Sequence, residues 1–398
     1  MVSGDAALRR RQRLQPIGGK GDKVFPPTYP GEGLNAQPRH VFERRRVQGE
    51  DVWCVLVDSV QSQANRLEEN LLSAIRSGAV NIPYVTVDFR GSNLPGISEV
   101  TSLDAPHRVY DAILRDSLLD GKPFMVSDVG QRLAQAKFED ASALLEISPT
   151  ALIFGAWHST GGGGGLGAKF ARSLVSEVIA VNVPVDQWAN PRTGEVEPRN
   201  AGRRTSSRID PLGVLRKVEV YKGTSDWDTS AERVDGAKKV RPSEINHGNI
   251  APSIQSLGIT CDYLEHMFVL SFAALRRLRF GSDERNAAGR TLLAALGLLA
   301  MAEQDVQGYA LRSRCDLVPE EQAPLELVHP DGSVNEVALD REGARAIYKE
   351  ALKVAVQAGF VFPPEPIRLT PQEKLVSIVR QSQRLALSGE GGEADEER

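Results

Sequence analysis

The chain has little of what most enzymes announce themselves with. Its three cysteines, Cys54, Cys261 and Cys315, are odd in number and far apart. They read as reduced thiols of a cytoplasmic protein, not as a disulfide frame. No Cys or His pair has ligand spacing and the six histidines are scattered, so no metal centre is expected. No Gly-x-Ser-x-Gly elbow marks a serine hydrolase, and no clustered carboxylates mark a two-metal nuclease. No apolar run approaches the ~20 residues that cross a bilayer. Arg9, Arg10, Arg11 and Arg13 have no apolar stretch behind them, so the start does not read as a signal peptide. Nothing here forces an enzyme.

What the chain does have is glycine. Ala151-Leu152-Ile153-Phe154 leads into an unbroken run from Gly161 to Gly165, followed by Leu166-Gly167-Ala168-Lys169. This pattern predicts a strand over 151–155, a glycine loop, then a helix with Phe170, Leu174, Val175 and Val178 on one face. A strand through Val178–Val185 follows. A glycine turn that opens a helix presents backbone N–H groups to an anion. Gly162-x-Gly164-x-x-Gly167 satisfies the dinucleotide spacing, with Asp186 further on, but an unbroken glycine run satisfies almost any spacing. A P-loop needs Lys directly after its last Gly, then Ser or Thr; here Ala168 intervenes and Phe170 follows Lys169. No cofactor is therefore expected. A nucleotide-binding enzyme using the Gly161–Gly167 loop stays open as the alternative, as does a mobile loop with no ligand. The third reading is a loop against a polyanion.

The net charge of −4 does not suit a bulk polyanion binder. Its distribution is more telling. Arg199, Arg203, Arg204, Arg208, Arg216, Lys217 and Lys222 crowd one stretch. Arg276, Arg277, Arg279, Arg285 and Arg290 crowd another, and the tail from Glu390 is acidic. Local basic stripes on a mildly acidic protein fit a defined groove, or they are simply solvated faces.

Residues 1–50 read as irregular, with turn chemistry at Gly18-Gly19 and Pro26-Pro27. Strands are expected over Val52–Asp58 and Tyr84–Phe89, and helices over Gln63–Arg76, 107–119 and 131–147. In the 107–119 helix Arg108, Asp111, Arg115 and Asp116 would face out. Residues 186–252 are proline-rich and basic with few core residues, and hold a hairpin near Val214–Tyr221. Residues 291–306 and 341–357 read as helices. Pro330-Asp331-Gly332 joins a hairpin, and Phe360-Val361-Phe362 reads as a last strand. Glu265-His266 lies on an apolar run, where a satisfied core histidine fits best. The whole is an α+β sheet domain with a large insertion.

Several blocks together resemble a known family. Val57-Asp58-Ser59-Val60-Gln61-Ser62-Gln63-Ala64-Asn65-Arg66-Leu67-Glu68 is similar to a signature of CRISPR-associated RAMP superfamily proteins, in particular the backbone (Cas-seven-type) subunit of type I-G, formerly I-U, Cascade. Leu14-Gln15-Pro16-Ile17-Gly18-Gly19, Leu103-Asp104-Ala105-Pro106-His107-Arg108, Phe154-Gly155-Ala156-Trp157-His158-Ser159, Pro242-Ser243-Glu244-Ile245-Asn246-His247-Gly248-Asn249 and Leu311-Arg312-Ser313-Arg314-Cys315-Asp316-Leu317 carry it further. The resemblance implies a ferredoxin-like (RRM-like) palm with insertions forming fingers and a thumb. It implies a non-catalytic subunit that polymerises along a CRISPR RNA. Its partners would be that RNA, target DNA through the guide, copies of itself in a helical multimer, and other Cascade subunits, with no membrane. On this plan 1–185 is the N-terminal part of the palm with a helical insertion and 186–252 the candidate thumb. Residues 253–370 complete the palm, and 371–398 form a helical and acidic tail.

Candidate RNA contacts follow from that reading. Gln63, Asn65 and Arg66 are the palm candidates, with capping or ion-pairing of the first helix as their alternative. Gly163 and Gly164 would let a phosphate approach. Lys169 and Arg172, expected at a helix start where cations oppose the dipole, call for an anion nearby or for a plain Glu partner. Arg203, Arg204 and Arg208 lie in the candidate thumb. Asn246 and His247 would reach a ribose hydroxyl or phosphate, or else form an Asx-type turn. Arg276 and Arg279 would line the groove or sit on a solvated face. Trp157 stacks on a base in this reading, although a core position suits a tryptophan better.

Overall fold

The computed structural model describes residues 2, 4–30, 39–158, 169–189, 196–200, 204–208, 211–224, 226–248, 250–255 and 257–388, of which 186–189, 196–200, 204–208, 250–255 and 387–388 are described by their backbone. They form two units: Met1–Pro184 with Ile259–Leu375, and Val185–Gly258 with Val376–Arg398.

The first unit is a mixed α+β body on an antiparallel sheet of nine strands. Numbering these strands alone, they are β1 (Ala7–Pro16), β2 (Phe42–Val47), β3 (Glu50–Asp58), β4 (Leu174–Val181), β5 (Tyr263–Ser271), β6 (Tyr309–Arg312), β7 (Cys315–Pro319), β8 (Leu325–Val328) and β9 (Val334–Val337). Their order is β6-β7-β1-β5-β4-β3-β2, and β8 joins β1 beside β7 and carries β9 outside it. Leu8 lies opposite Leu270 and Leu14 opposite Leu264.

The first strand corrects the expectation of an irregular start. Its burial alternates: Leu8, Arg10, Gln12 and Leu14 point inward while Arg9, Arg11 and Arg13 point out. Two inward positions are polar, so hydropathy hides the alternation. Both are satisfied. Arg10 forks onto Asp305 at 2.5 and 2.6 Å, and the Gln12 amide donates to the Glu321 carbonyl and accepts from the Ala323 N–H.

Three helices carry the core: α1 (Val60–Arg76), α2 (Asp283–Gln307) and α3 (Arg341–Gln357). The side chain of Ser59 caps α1 and that of Asp340 caps α3 by accepting from N–H groups of the first turn. Leu292, Leu293, Leu296 and Leu299 of α2 are buried. Gly297 sets the closeness of α2 to the sheet, because a Cβ there would stand 3.2–3.3 Å from Leu270 and Leu174. A smaller sheet pairs Val85–Asp88 with Ile367–Pro371 in parallel, with Glu99–Thr101, Ser117–Leu119 and Lys122–Pro123 on its flanks.

Strands expected at Val52–Asp58 and Val178–Val185, the 341–357 helix and the 330–332 hairpin all find counterparts. Others do not. The 151–155 strand is a helical turn, Thr150–Phe154, and the helix after the glycines is β4. Residues 107–119 hold short turns at Arg108–Tyr110 and Ala112–Arg115 and then the strand Ser117–Leu119, and 131–147 divides into Asp128–Ala134 and Ser142–Ile147. The last strand is Ile367–Pro371, not Phe360–Phe362.

In the second unit Val185–Ala189 pairs with Val196–Asn200, and Arg204–Arg208 with Ile250–Gln255. Val220–Lys222 sits between Trp227–Asp228 and Lys238–Val240, close to the expected hairpin. No helix among the described residues is long and apolar enough to cross a membrane.

Candidate nucleic-acid interface

The two sides of the glycine loop meet in a short ladder. Ala156–Trp157 pairs antiparallel with Lys169–Phe170, with Ala156 opposite Phe170 and Trp157 opposite Lys169. Gly163 and Gly164 lie outside the described residues. Trp157 is 53% exposed, which overturns the core position expected of it. The Lys169 ammonium stands over its ring at 5.7 Å from the centroid, a cation–π contact. Lys169 therefore sits in a strand, not at a helix start, and no helix dipole opposes it.

Arg172 follows on the same segment. Among the described residues its guanidinium meets no carboxylate or hydrogen-bond acceptor. Partial burial, then the nearby Arg108 cation, lower its pKa against a smaller opposing pull from the Glu68 carboxylate.

Beneath the surface the buried Phe170 packs on the half-buried Phe138. Phe170 tilts against Phe138 with centroids 5.2 Å apart. The Arg277 guanidinium covers Phe138 at 5.0 Å, and the Arg279 N–H donates to the Phe138 carbonyl at 2.9 Å. The Arg279 side chain is exposed and finds no partner among the described residues. Arg290 is held by the Leu278 carbonyl at 2.8–3.0 Å, and its pKa is lowered by burial and then by Arg279 and Arg276. Trp157, Lys169, Arg172, Phe138, Arg277 and Arg279 thus combine cations that lack carboxylate partners with aromatic rings. Single-stranded nucleic acid is bound by this pairing of stacking surface and phosphate-seeking charge.

The loop stem rests on buried groups. Arg108, expected to face out, is 6% exposed. It forks onto Glu68 at 2.7 and 2.8 Å and donates to the Gly155 carbonyl at 2.9 Å. Burial pushes the Glu68 carboxyl up to about 7, against the pull of Arg108. Next to Trp157, His158 is buried and stacks face to face on Tyr110 at 4.8 Å.

Other candidates are placed elsewhere. Gln63 is fully buried and offers no surface to a ligand. Its amide donates to Asp58 at 2.7 Å and accepts from Ser176 and Gln304. Arg66 donates to Asp58 and to the Leu311 carbonyl, while Asn65 is exposed on α1. The signature block therefore converges on Asp58, a wholly buried carboxylate that also accepts from Ser62 and Arg312. Its role is to hold the core together. The network runs on from Ser176 to His266 at 2.6 Å and from His266 to the Tyr309 hydroxyl at 3.0 Å. The core histidine expected at 266 is there, and burial lowers its pKa to about 3.

Arg276 is pinned by the carbonyls of Val2 and Asp5 at 2.8 and 2.7 Å, which ties up its charge. In the second unit Arg203 lies outside the described residues, and Arg204 and Arg208 end a strand described by its backbone. Asn246 adopts φ 61° and terminates the Pro242–Ile245 turn. The His247 ring meets Trp227 edge-on at 5.4 Å. Among the described residues no group of His, Cys, Asp and Glu is fit to hold a metal. Sequence reasoning named the arginine stretch at 276–279 but missed Phe138 as the partner of Arg277, because their contact spans the fold.

Residues 8–185 match the model of a family described as CRISPR-associated protein GSU0053. None of the curated proteins matches the chain. Among solved structures, the crystal structure of Csc2 from Thermofilum pendens aligns with 96% of this chain and 77% of that one, at 10% identity and a TM-score of 0.27. That score is too low to carry an argument about fold. Over the segment that holds Asp58, Arg108, Trp157, Lys169 and Arg172, the chain is similar to a CRISPR-associated family.

Proposed function

We propose that the protein is a non-catalytic backbone subunit of a CRISPR effector complex of the type I-G Cascade kind. In this role it binds CRISPR RNA, assembles into a helical multimer along it with other Cascade subunits, and meets target DNA through the guide. The observation that carries the reading is the surface at the glycine-loop stem. Exposed Trp157, Lys169 above it, Arg172, which has no carboxylate partner among the described residues, and Arg277 and Arg279 around Phe138 form a cationic and aromatic run. The similarity of residues 8–185 to a CRISPR-associated family supports it further. Such a subunit leaves sequence selection to base pairing and needs backbone and stacking contacts only. The antiparallel sheet serves as the RRM-like palm in this reading, and residues 186–252 as the thumb.

The test is co-expression with a repeat–spacer transcript and its processing partner, followed by purification through high salt. A discrete guide-length RNA on a multimer is expected. A clean monomer without RNA overturns the proposal. A melting temperature raised by ATP or NAD would instead favour the nucleotide-binding enzyme that the Gly161–Gly167 loop left open.

A further inference from the structure

Arg108 is unusual on three counts. It is a non-glycine residue with φ 54°, in the left-handed region, a conformation that bulky residues seldom adopt without a reason. It is almost wholly buried, yet charged. And it spends its donors on two different elements: Nε and Nη2 on the Glu68 carboxylate of α1, and Nη1 on the carbonyl of Gly155. A buried, forked arginine fixes position well because its planar donors allow little rotation.

Gly155 is the point where this matters. It has φ 85°, and a Cβ there would stand 3.1 Å from Arg172 Cγ and from the Phe170 carbonyl. The backbone of Gly155 is thus packed directly under Arg172, one residue before the ladder that presents Trp157 opposite Lys169. The Arg108 ring contact to Phe154, 5.6 Å to the centroid, holds the residue before it. The Arg108 cation opposes the charge of Arg172, and the Glu68 carboxylate that Arg108 holds offsets it in part.

We infer that Arg108, locked by Glu68, is a positioning residue for the nucleic-acid surface. It clamps the Gly155 peptide, and through it sets the place of Arg172 and the register of Trp157 against Lys169, without itself touching RNA. The inference rests on the RNA-binding reading of that surface.

The test measures binding of the full-length protein to a 5′-labelled single-stranded RNA of about guide length across a salt series. Arg172→Gln is expected to weaken binding about tenfold and to reduce the salt slope by about 0.7, one phosphate contact on a single strand. Arg108→Lys keeps the charge but loses the fork and the reach to Gly155. It is expected to give the same loss of affinity and the same loss of slope. In an Arg172→Gln background it should add less than it costs alone, the remainder coming from Trp157 and Lys169, since a residue that acts through another is not additive with it. Glu68→Gln, which keeps shape and volume, should repeat the pattern more weakly and serves if Arg108→Lys does not fold. A slope equal to wild type in a folded Arg108→Lys or Glu68→Gln protein overturns the inference, as does full additivity with Arg172→Gln. Wild-type protein that does not bind the RNA removes the RNA-binding reading as well, which separates the two failures.

Discussion

Trp157 is the residue on which the surface reading turns. Large exposed aromatics next to unpaired cations are costly to keep unless something covers them. Replacing Trp157 with alanine should weaken single-stranded RNA binding by about 1–3 kcal/mol, the usual worth of a stacked base. The melting temperature should hardly move, because half of the side chain already faces solvent. A large fall in melting temperature with unchanged binding would instead make Trp157 structural. His266 makes a prediction of a different sort. Its pKa is about 3 in the folded state against about 6.5 unfolded. The neutral ring therefore contributes stability that is fully present above pH 6.5 and is lost as pH falls toward 3. Between pH 6.5 and 5 the loss is about 1.5 kcal/mol. Glu68 works in the opposite sense over an overlapping range, since its carboxyl is raised by burial. Denaturant midpoints should therefore be compared between wild type and His266→Gln, where the Glu68 contribution cancels. Equal pH dependence in the two proteins would contradict the assignment.

Among the elements, the turn from β3 into α1 is the most demanding. Asp58 ends the strand with a carboxylate fully buried among Ser62, Gln63, Arg66 and Arg312. Removing one partner of such a set leaves charge uncompensated, so Asp58→Ala should cost about 3–5 kcal/mol, read as a shift in urea midpoint. A loss under about 1 kcal/mol would mean that water replaces the carboxylate. This turn also shows what could be read in advance. The α1 helix was plain, but Gln63 and Arg66, read as ligands, pair with Asp58 and Leu311, because only the fold brings Leu311 and Arg312 to them. The region after the glycines was misread for a related reason. Leu174 and Val178 are four apart, which satisfies a helix, but an even spacing also places them on one face of a strand. The short apolar run 151–154 carried no period at all. The exposed pair Trp157–Lys169 was invisible until β-pairing set one opposite the other, and Arg108 looked like a surface residue because nothing local announces its partner on α1. The helix Arg341–Gln357 and the Pro330–Gly332 hairpin were legible because capping and turn chemistry decide them locally.

At the scale of the whole molecule, the two units leave a clean test. The first unit leaves its sheet at β4 and re-enters at β5, where Val181 pairs with Tyr263 and Asn182 bonds Asp262 at 2.7 Å. The chain ends flanking Val185–Gly258 are thus neighbours in one antiparallel pair. Replacing Val185–Gly258 with a short Gly-Ser turn should leave a protein that still melts cooperatively and keeps its sheet signal in circular dichroism. A molten or aggregated product would show that the first unit is not self-sufficient.

The placing of β1 has a consequence for synthesis. This strand is made first, yet its neighbours are β5 on one side and β7 and β8 on the other. At roughly 5–20 residues per second, the partners from Tyr263 onward leave the ribosome some tens of seconds after Ala7–Pro16. Through that interval the arginine-rich strand has neither of its sheet neighbours, and Arg10 waits for Asp305. The outward arginines keep such an orphan strand from pairing with strangers. Pairing of the central sheet therefore waits for the strands from Tyr263 onward, and a chain truncated before Tyr263 has no route to it.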